Sequence, residues 1–357
     1  MEPPVISVVV PVRDGEATLP SLLDALAAQR GAPPFEVVVA DDGSGDGADR
    51  IASGHPVVAR VVAVGRPGGA PRGPGAARDA ALAVATGTWI AFTDADCVPD
   101  PGWLAALAAA AAEGDAIVQG PIALPEGARP GPFDRVVART GPNALHETAN
   151  LAAPRSAVLA VGGFGSAGIR PRRGKELGED VMLGTALRRA GLPLRWRPDA
   201  RVVHPVERRG WSAAAAERRR SAAFCALVRR RPELRDDLLW RRWFLSRSTA
   251  ELDLALVGAG LVARGIVVLA RTGRRRGTVE PARRSPAVGR RTSRASAAAS
   301  IAAGVAAATP YVRTLERRTR PWPRGRRPAI AGGLLAGDVV AAASLLAGSL
   351  RQRTPVL

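Results

Sequence analysis

Residues 5–12 read Val-Ile-Ser-Val-Val-Val-Pro-Val, a β-branched apolar run with no polar alternation. A strand with one wet face would alternate, so this pattern calls for a strand covered on both faces, as in a parallel sheet flanked by helices. The residues that follow supply the cover. Leu19, Leu22, Leu23 and Leu26 fall at i, i+3, i+4 and i+7, which predicts a helix with one buried face. The alternation then repeats. Strands are predicted at 36–40, 57–64, 89–93 and 116–120, and helices near 46–53, 75–86 and 101–113. This order predicts an α/β fold: a Rossmann-like, mostly parallel sheet with helices on both faces.

Ligands of such sheets bind outside the carboxyl ends of the strands. Two acidic clusters fall there. Asp41-Asp42-Gly43-Ser44 closes the second strand, and Asp94-Ala95-Asp96 closes the fourth. A carboxylate at the first position can accept a base N–H or a ribose hydroxyl, although Asp, Gly and Ser also build ordinary turns. The second pair can carry Mg²⁺ or Mn²⁺, hard ions that take oxygen ligands and substrate phosphates. Further along, Gly178-Glu179-Asp180 opens a predicted helix. Acids are favoured in a first turn by the helix dipole, and one placed there could also act as a general base. The loop 66–75 is rich in glycine but has neither P-loop nor GxGxxG spacing, and it reads as a flexible loop.

Taken in order, strand with Pro11, Asp41-Asp42-Gly43-Ser44, Ala77-Arg78-Asp79, Asp94-Ala95-Asp96, Asn150-Leu151-Ala152, Gly162-Gly163-Phe164, Gly178-Glu179-Asp180 and Arg197-Pro198-Asp199-Ala200 resemble the family 2 inverting glycosyltransferases of the GT-A fold. The resemblance covers about residues 5–230. It implies that Pro11, Asp42, Arg78 and Asp94 bind a nucleotide-sugar, and that Asp96, with His204, holds the Mg²⁺ or Mn²⁺. It further implies that Asp180 is the catalytic base with Glu179 beside it. One sugar would pass to an acceptor hydroxyl with inversion. Asp79 departs from the Asn usual at that place, and the QxxRW signature of processive synthases is missing from the sequence.

Charge divides the chain in two. Its formal net charge is +19, yet residues 1–200 sum to −3 and residues 201–357 to +22. Lys175 is the one lysine, so the excess is arginine. Apolar stretches at 252–270, 295–308 and 329–350 alternate with arginine-rich segments, and 271–294 reads as a linker. These features predict a GT-A domain over residues 1–240 and a basic helical region over 241–357, with an anionic membrane surface as its partner. Nucleic acid is disfavoured, because the basic region lacks interleaved aromatics or a helix-turn-helix or zinc-finger spacing. The N-terminus lacks a signal-peptide pattern and two cysteines cannot build a disulfide framework, so the expected location is the cytoplasmic face of the cell membrane, in envelope glycan or glycolipid synthesis, with a lipid-linked acceptor. A sugar nucleotidyltransferase is the alternative enzyme. It calls for a glycine-rich basic loop after the first strand, where this chain has Pro11-Val12-Arg13-Asp14-Gly15.

Overall fold

The computed structural model describes residues 5–165, 177–274 and 286–357. They form two compact units. The first comprises Met1–Arg209 with Ala226–Leu238, the second Gly210–Cys225 with Leu239–Leu357.

In the first unit the elements run β1 (Ile6–Val12), α1 (Leu19–Ala27), β2 (Phe35–Asp41), α2 (Ala48–Gly54), β3 (Val58–Ala63), α3 (Pro74–Val84), β4 (Trp89–Phe92), β5 (Val98–Pro99), α4 (Trp103–Ala112), β6 (Ile117–Gln119), β7 (Ile122–Ala123), β8 (Leu151–Pro154), α5 (Arg155–Ala160), α6 (Glu179–Arg189), β9 (Leu194–Trp196) and β10 (Val202–Val203). The main sheet has seven strands in the order β3-β2-β1-β4-β8-β6-β9. Its pairings are parallel except at β8, which runs antiparallel to both β4 and β6. A small sheet, β5-β10-β7, lies beside it. The fold class is thus the expected α/β one, a mostly parallel sheet packed with helices on both faces.

β1 behaves as its sequence requires. Val8 and Val10 join one core with Leu19, Leu22, Leu23, Leu26, Trp103 and Leu107. Val9, between them, joins the opposite core with Ala81, Leu82, Val158, Leu183 and Leu187. Both faces are dry, which leaves no place for a polar alternation. β8 escaped the sequence reading because Leu151–Pro154 is short and carries no turn signal of its own.

In the second unit the helices are α7 (Trp211–Glu217), the first residues of α8 (Ala222–Arg230), α10 (Arg247–Arg274), α11 (Pro286–Thr319) and α12 (Arg327–Gln352); α9 (Leu234–Leu238) belongs to the first unit. The expected linker over 271–294 is corrected at both ends: α10 continues to Arg274 and α11 begins at Pro286, while 275–285 lie outside the described residues. Alanine and arginine are strong helix formers, so a polar composition did not prevent helix there.

Among the described residues three helices are long and apolar enough to cross a membrane: Arg247–Arg271, Ser293–Thr319 and Arg324–Gln352. α10 and α11 pack at backbone distance. A Cβ on Gly258 would lie 2.5 Å from the Gly304 carbonyl oxygen. Small residues at such a contact let helices approach closely, as they do in membranes. Asp338, which interrupts the apolar run of α12, is buried and accepts hydrogen bonds from Tyr311 (2.9 Å) and Arg318 (2.6 Å). The opposite face keeps Leu335, Val339, Leu346 and Leu350 exposed, as a continuous apolar stripe.

Leu22 is fully buried between α1 and β1. Leu22→Ala should lower stability by about 2–5 kcal/mol, read from the denaturant midpoint of the core tryptophan signal. An unchanged midpoint would contradict this packing.

Candidate active site

The carboxyl ends of β1, β2 and β4, with the N-terminus of α6, bring most of the expected residues to one side of the sheet. Arg78 is the hub. It rises from α3, is only 3% exposed, and donates to Asp94 (2.7 Å) and Glu179 (3.3 Å). Its guanidinium carbon also sits 5.4 Å from the centre of the Phe164 ring. Burial opposes the Arg78 charge, and Asp94, then Glu179 and Asp180, restore it. So Asp94 is occupied by an arginine rather than left free to the solvent.

Asp180 is half-buried beside Glu179 at the start of α6. Gly178 precedes them with φ +77°, where a Cβ would press on the Leu227 side chain at 2.8 Å. Burial pushes the Asp180 carboxyl well above the usual carboxylate range, and the neighbouring Glu179 charge adds to it. Glu147, paired with Arg139, is a further anion felt by Asp180. It was missed in the sequence because it stands in a loop with no motif around it.

The nucleotide side differs in detail from the sequence expectation. Asp42 is buried, and its carboxylate accepts the backbone N–H groups of Arg72 (2.9 Å) and Gly73 (2.8 Å). Arg13 donates to the Asp42 carbonyl (2.5 Å) and the Gly69 carbonyl (2.7 Å). The glycine-rich loop is therefore pinned to the β1 and β2 ends rather than free, which corrects its reading as a flexible segment. Asp41 caps the turn instead, accepting from the Ser44 N–H (3.1 Å) and hydroxyl. Pro11 is half-buried in β1.

Asp79, the departure from the usual Asn, also has a visible task. Its carboxylate accepts the N–H groups of Phe164 (2.7 Å) and Gly165 (2.6 Å), holding the turn that seats Phe164 under Arg78. Burial raises its pKa. Asn150 is structural: it accepts from the Trp103 indole (2.9 Å) and donates to the carbonyls of Pro121 (2.9 Å) and Ala200 (2.7 Å).

Asp96 lies 3.7 Å from His204 Nε2. The His204 Nδ1 is 2.8 Å from the Pro205 carbonyl oxygen, so its N–H donates there and Nε2 is turned toward Asp96. Burial raises the Asp96 pKa, against the pull of His204. Asp96, Cys97 and His204 offer ligand atoms within 4.8 Å of one another, a donor set that fits a divalent cation. Cys97 carried no sequence signal beyond its place after Asp96.

Residues 7–145 match the model of Glycosyl transferase family 2. Among curated proteins, the pre-mycofactocin glycosyltransferase of Mycobacterium tuberculosis is 30% identical over 230 residues. The match takes in 59% of this chain and 45% of the relative, so the chain spans under half of that protein's length. Among solved structures, the mannosyltransferase PcManGT of Pyrobaculum calidifontis, in complex with GDP-Man and Mn2+, is 21% identical with a TM-score of 0.48, covering 96% of this chain and 87% of that one. S. aureus TarS 1–349, in complex with UDP-GlcNAc, is 16% identical with a TM-score of 0.45, covering 98% and 92%.

Asp79→Ala leaves two backbone N–H groups without their acceptor. It should cost about 1–3 kcal/mol in denaturant unfolding, whereas Asp79→Asn, whose amide oxygen still accepts, should cost less. Equal losses for the two variants would contradict the role assigned to Asp79.

Proposed function

We propose that the protein is an inverting glycosyltransferase that moves one sugar from a nucleotide-sugar donor to an acceptor hydroxyl. The observation that carries this reading is the convergence, at the carboxyl ends of the sheet, of the Arg78–Asp94–Glu179 network, the raised-pKa Asp180 and the Asp96–His204 pair. The family match over residues 7–145 supports it, as does the glycosyltransferase named among the relatives.

Each residue then has a role. Asp42 and the loop it pins, with Pro11, form the floor on which the base and ribose rest. Arg78 keeps Asp94 oriented toward the donor. Asp96 and His204 hold a divalent cation, which supplies charge stabilisation to the departing diphosphate when bound. Asp180 takes the proton from the acceptor hydroxyl as that oxygen attacks the anomeric carbon. A base with an ordinary carboxylate pKa is too weak for an alcohol, and the raised value of Asp180 moves it toward the operating pH. Glu179 acts through Asp180 by like-charge repulsion and through Arg78 by pairing. The alternative nucleotidyltransferase reading loses its best cation, because Arg13 is spent on backbone carbonyls.

The second unit is the membrane attachment in this reading. Its apolar helices expose Leu256, Val257, Ile266, Val305, Leu346 and Leu350, and its arginines suit anionic headgroups. The active unit would face the cytoplasm and serve envelope glycan or glycolipid synthesis, with a lipid-linked acceptor.

Two outcomes test the catalytic assignment. Asp180→Asn should lose transfer by at least about 100-fold while still binding donor, and normal transfer would remove Asp180 as the base. The rate of the native enzyme should rise with pH as Asp180 deprotonates. Glu179→Gln removes a negative neighbour, lowers the Asp180 pKa and should shift that rise to lower pH, and a shift the other way would contradict the pairing. For the membrane, the full chain should stay with the pellet after carbonate extraction, and quantitative release would overturn the attachment.

A further inference from the structure

Three helices of the second unit have the length and composition to cross a membrane. If all three crossed in turn, the end of α12 would lie across the bilayer from the start of α10. The hydrogen bonds place it elsewhere. α11 returns along α10: a Cβ on Gly265 would meet the Ala297 carbonyl oxygen, one on Gly258 would meet that of Gly304, and Thr314 donates to Glu251 at 2.5 Å. The far end of α12 then comes to this same end of the pair. The Leu357 N–H donates to the Trp243 carbonyl (2.7 Å), and the Leu245 N–H donates to the Leu357 carbonyl (2.7 Å). The Ser349 hydroxyl accepts from the Val356 N–H (2.9 Å) and donates to the Val356 carbonyl (2.8 Å), which folds residues 353–357 back on α12. Ser349 is thus tied to Leu245 through Val356 and Leu357, a reach on the order of 15 Å. A crossing helix would hold the two about 30 Å apart. We propose that α12 does not cross the membrane but lies in the plane of its surface, with Leu335, Val339, Leu346 and Leu350 turned down among the lipids. Both of its ends then stay on the side from which α10 starts, and any crossing is confined to α10 and α11. This rests on the reading of the second unit as a membrane attachment and specifies the surface that makes it.

The other face of α12 agrees. Gly337, Ala341, Leu345 and Gly348 are buried. Residues 215–225 cover them: a Cβ on Gly337 would lie 3.9 Å from Ala215 Cα, one on Gly348 would lie 2.9 Å from the Ala222 carbonyl oxygen, and the Cys225 thiol donates to the Leu345 carbonyl at 3.5 Å. That covering segment holds Arg218, Arg219 and Arg220 in succession. Consecutive arginines are expensive in hydrocarbon, so a helix laid along them belongs at headgroup level. Asp338 stands near the midpoint of α12, where Tyr311, Arg318 and, at 4.0 Å, Arg218 gather around it. In a crossing helix this charged cluster would sit at the centre of the bilayer; in an in-plane helix it stays on the upper side. Arg320, Arg324, Arg326 and Arg327 flank one end of α12, and Arg351 and Arg353 the other, charges that complement lipid phosphates. The competing cover for the exposed stripe is a second copy of this chain.

Two measurements on the full chain decide the placement. Cys97 and Cys225 are both buried, so the native protein supplies an unlabelled background for a membrane-impermeant maleimide. Arg324→Cys and Arg351→Cys bracket α12 and should label from the same side, in one of intact spheroplasts or inverted vesicles and not in the other. Labelling from opposite sides would overturn the proposal while leaving the membrane attachment intact. Depth is read separately, from an environment-sensitive fluorophore on Val339→Cys or Leu350→Cys in phosphatidylglycerol vesicles. Both positions are exposed, so these changes spare the packing. An in-plane helix should hold both labels about 5–10 Å into the boundary between headgroups and acyl chains. A nitroxide lipid labelled near the headgroup should then quench both more strongly than one labelled near the tail end. Stronger quenching of the Val339 label by the tail-end nitroxide means a crossing helix and contradicts the proposal. Labels shielded from water yet quenched by neither lipid would assign the stripe to a second copy instead. A chain that neither pellets with membranes nor binds the vesicles would sink the attachment and this placement together.

Discussion

Arg78 is almost completely buried and carries a permanent charge, so anions must be brought to it for the fold to close. Asp94 comes from the end of β4 and Glu179 from the start of α6, elements 85 residues apart in sequence. Phe164 covers the guanidinium, and Asp79 holds the turn that carries Phe164. The rest of the site follows from that neutralisation. With Asp94 engaged, Asp96 is left to His204 and Cys97. With Glu179 engaged, Asp180 stands beside a negative neighbour in a poorly hydrated place and binds its proton more tightly. Removing the Arg78 charge would leave two acids facing each other across the sheet end without a partner.

Much of this was legible in the sequence because it follows from periodicity. The doubly buried β1, the amphipathic α1 and the acidic pairs after β2 and β4 are all short-range patterns, and the structure sets those pairs at strand carboxyl ends. What could not be read depends on partners far away in the chain. Nothing local says that the Asp42 carboxylate turns back to the amides of Arg72 and Gly73, or that Asp79 reaches Phe164 and Gly165. The antiparallel β8 was hidden for a related reason: four apolar residues show no direction, and their orientation is set by pairing with β4 and β6. Cys97 was invisible because one cysteine in an apolar strand end looks like core packing.

The two units divide the labour of the charge. The first is balanced, with 26 basic and 26 acidic residues, and buried charges are matched one against another around Arg78. The second holds the arginine excess, between helices whose outer faces keep large apolar side chains in contact with solvent. Its interior acid, Asp338, is consumed by Tyr311 and Arg318, so the break in the apolar sequence of α12 does not break its exposed stripe. A net charge computed over the whole chain conceals both facts.

Transfer through a single displacement, with Asp180 as the one base, is the account's central claim. It is tested most directly by the anomeric configuration of the product, read from the anomeric proton coupling in NMR before any mutarotation. An α-linked nucleotide-sugar should yield a β-linked product. A product that keeps the α configuration would contradict the single displacement and the role of Asp180 with it.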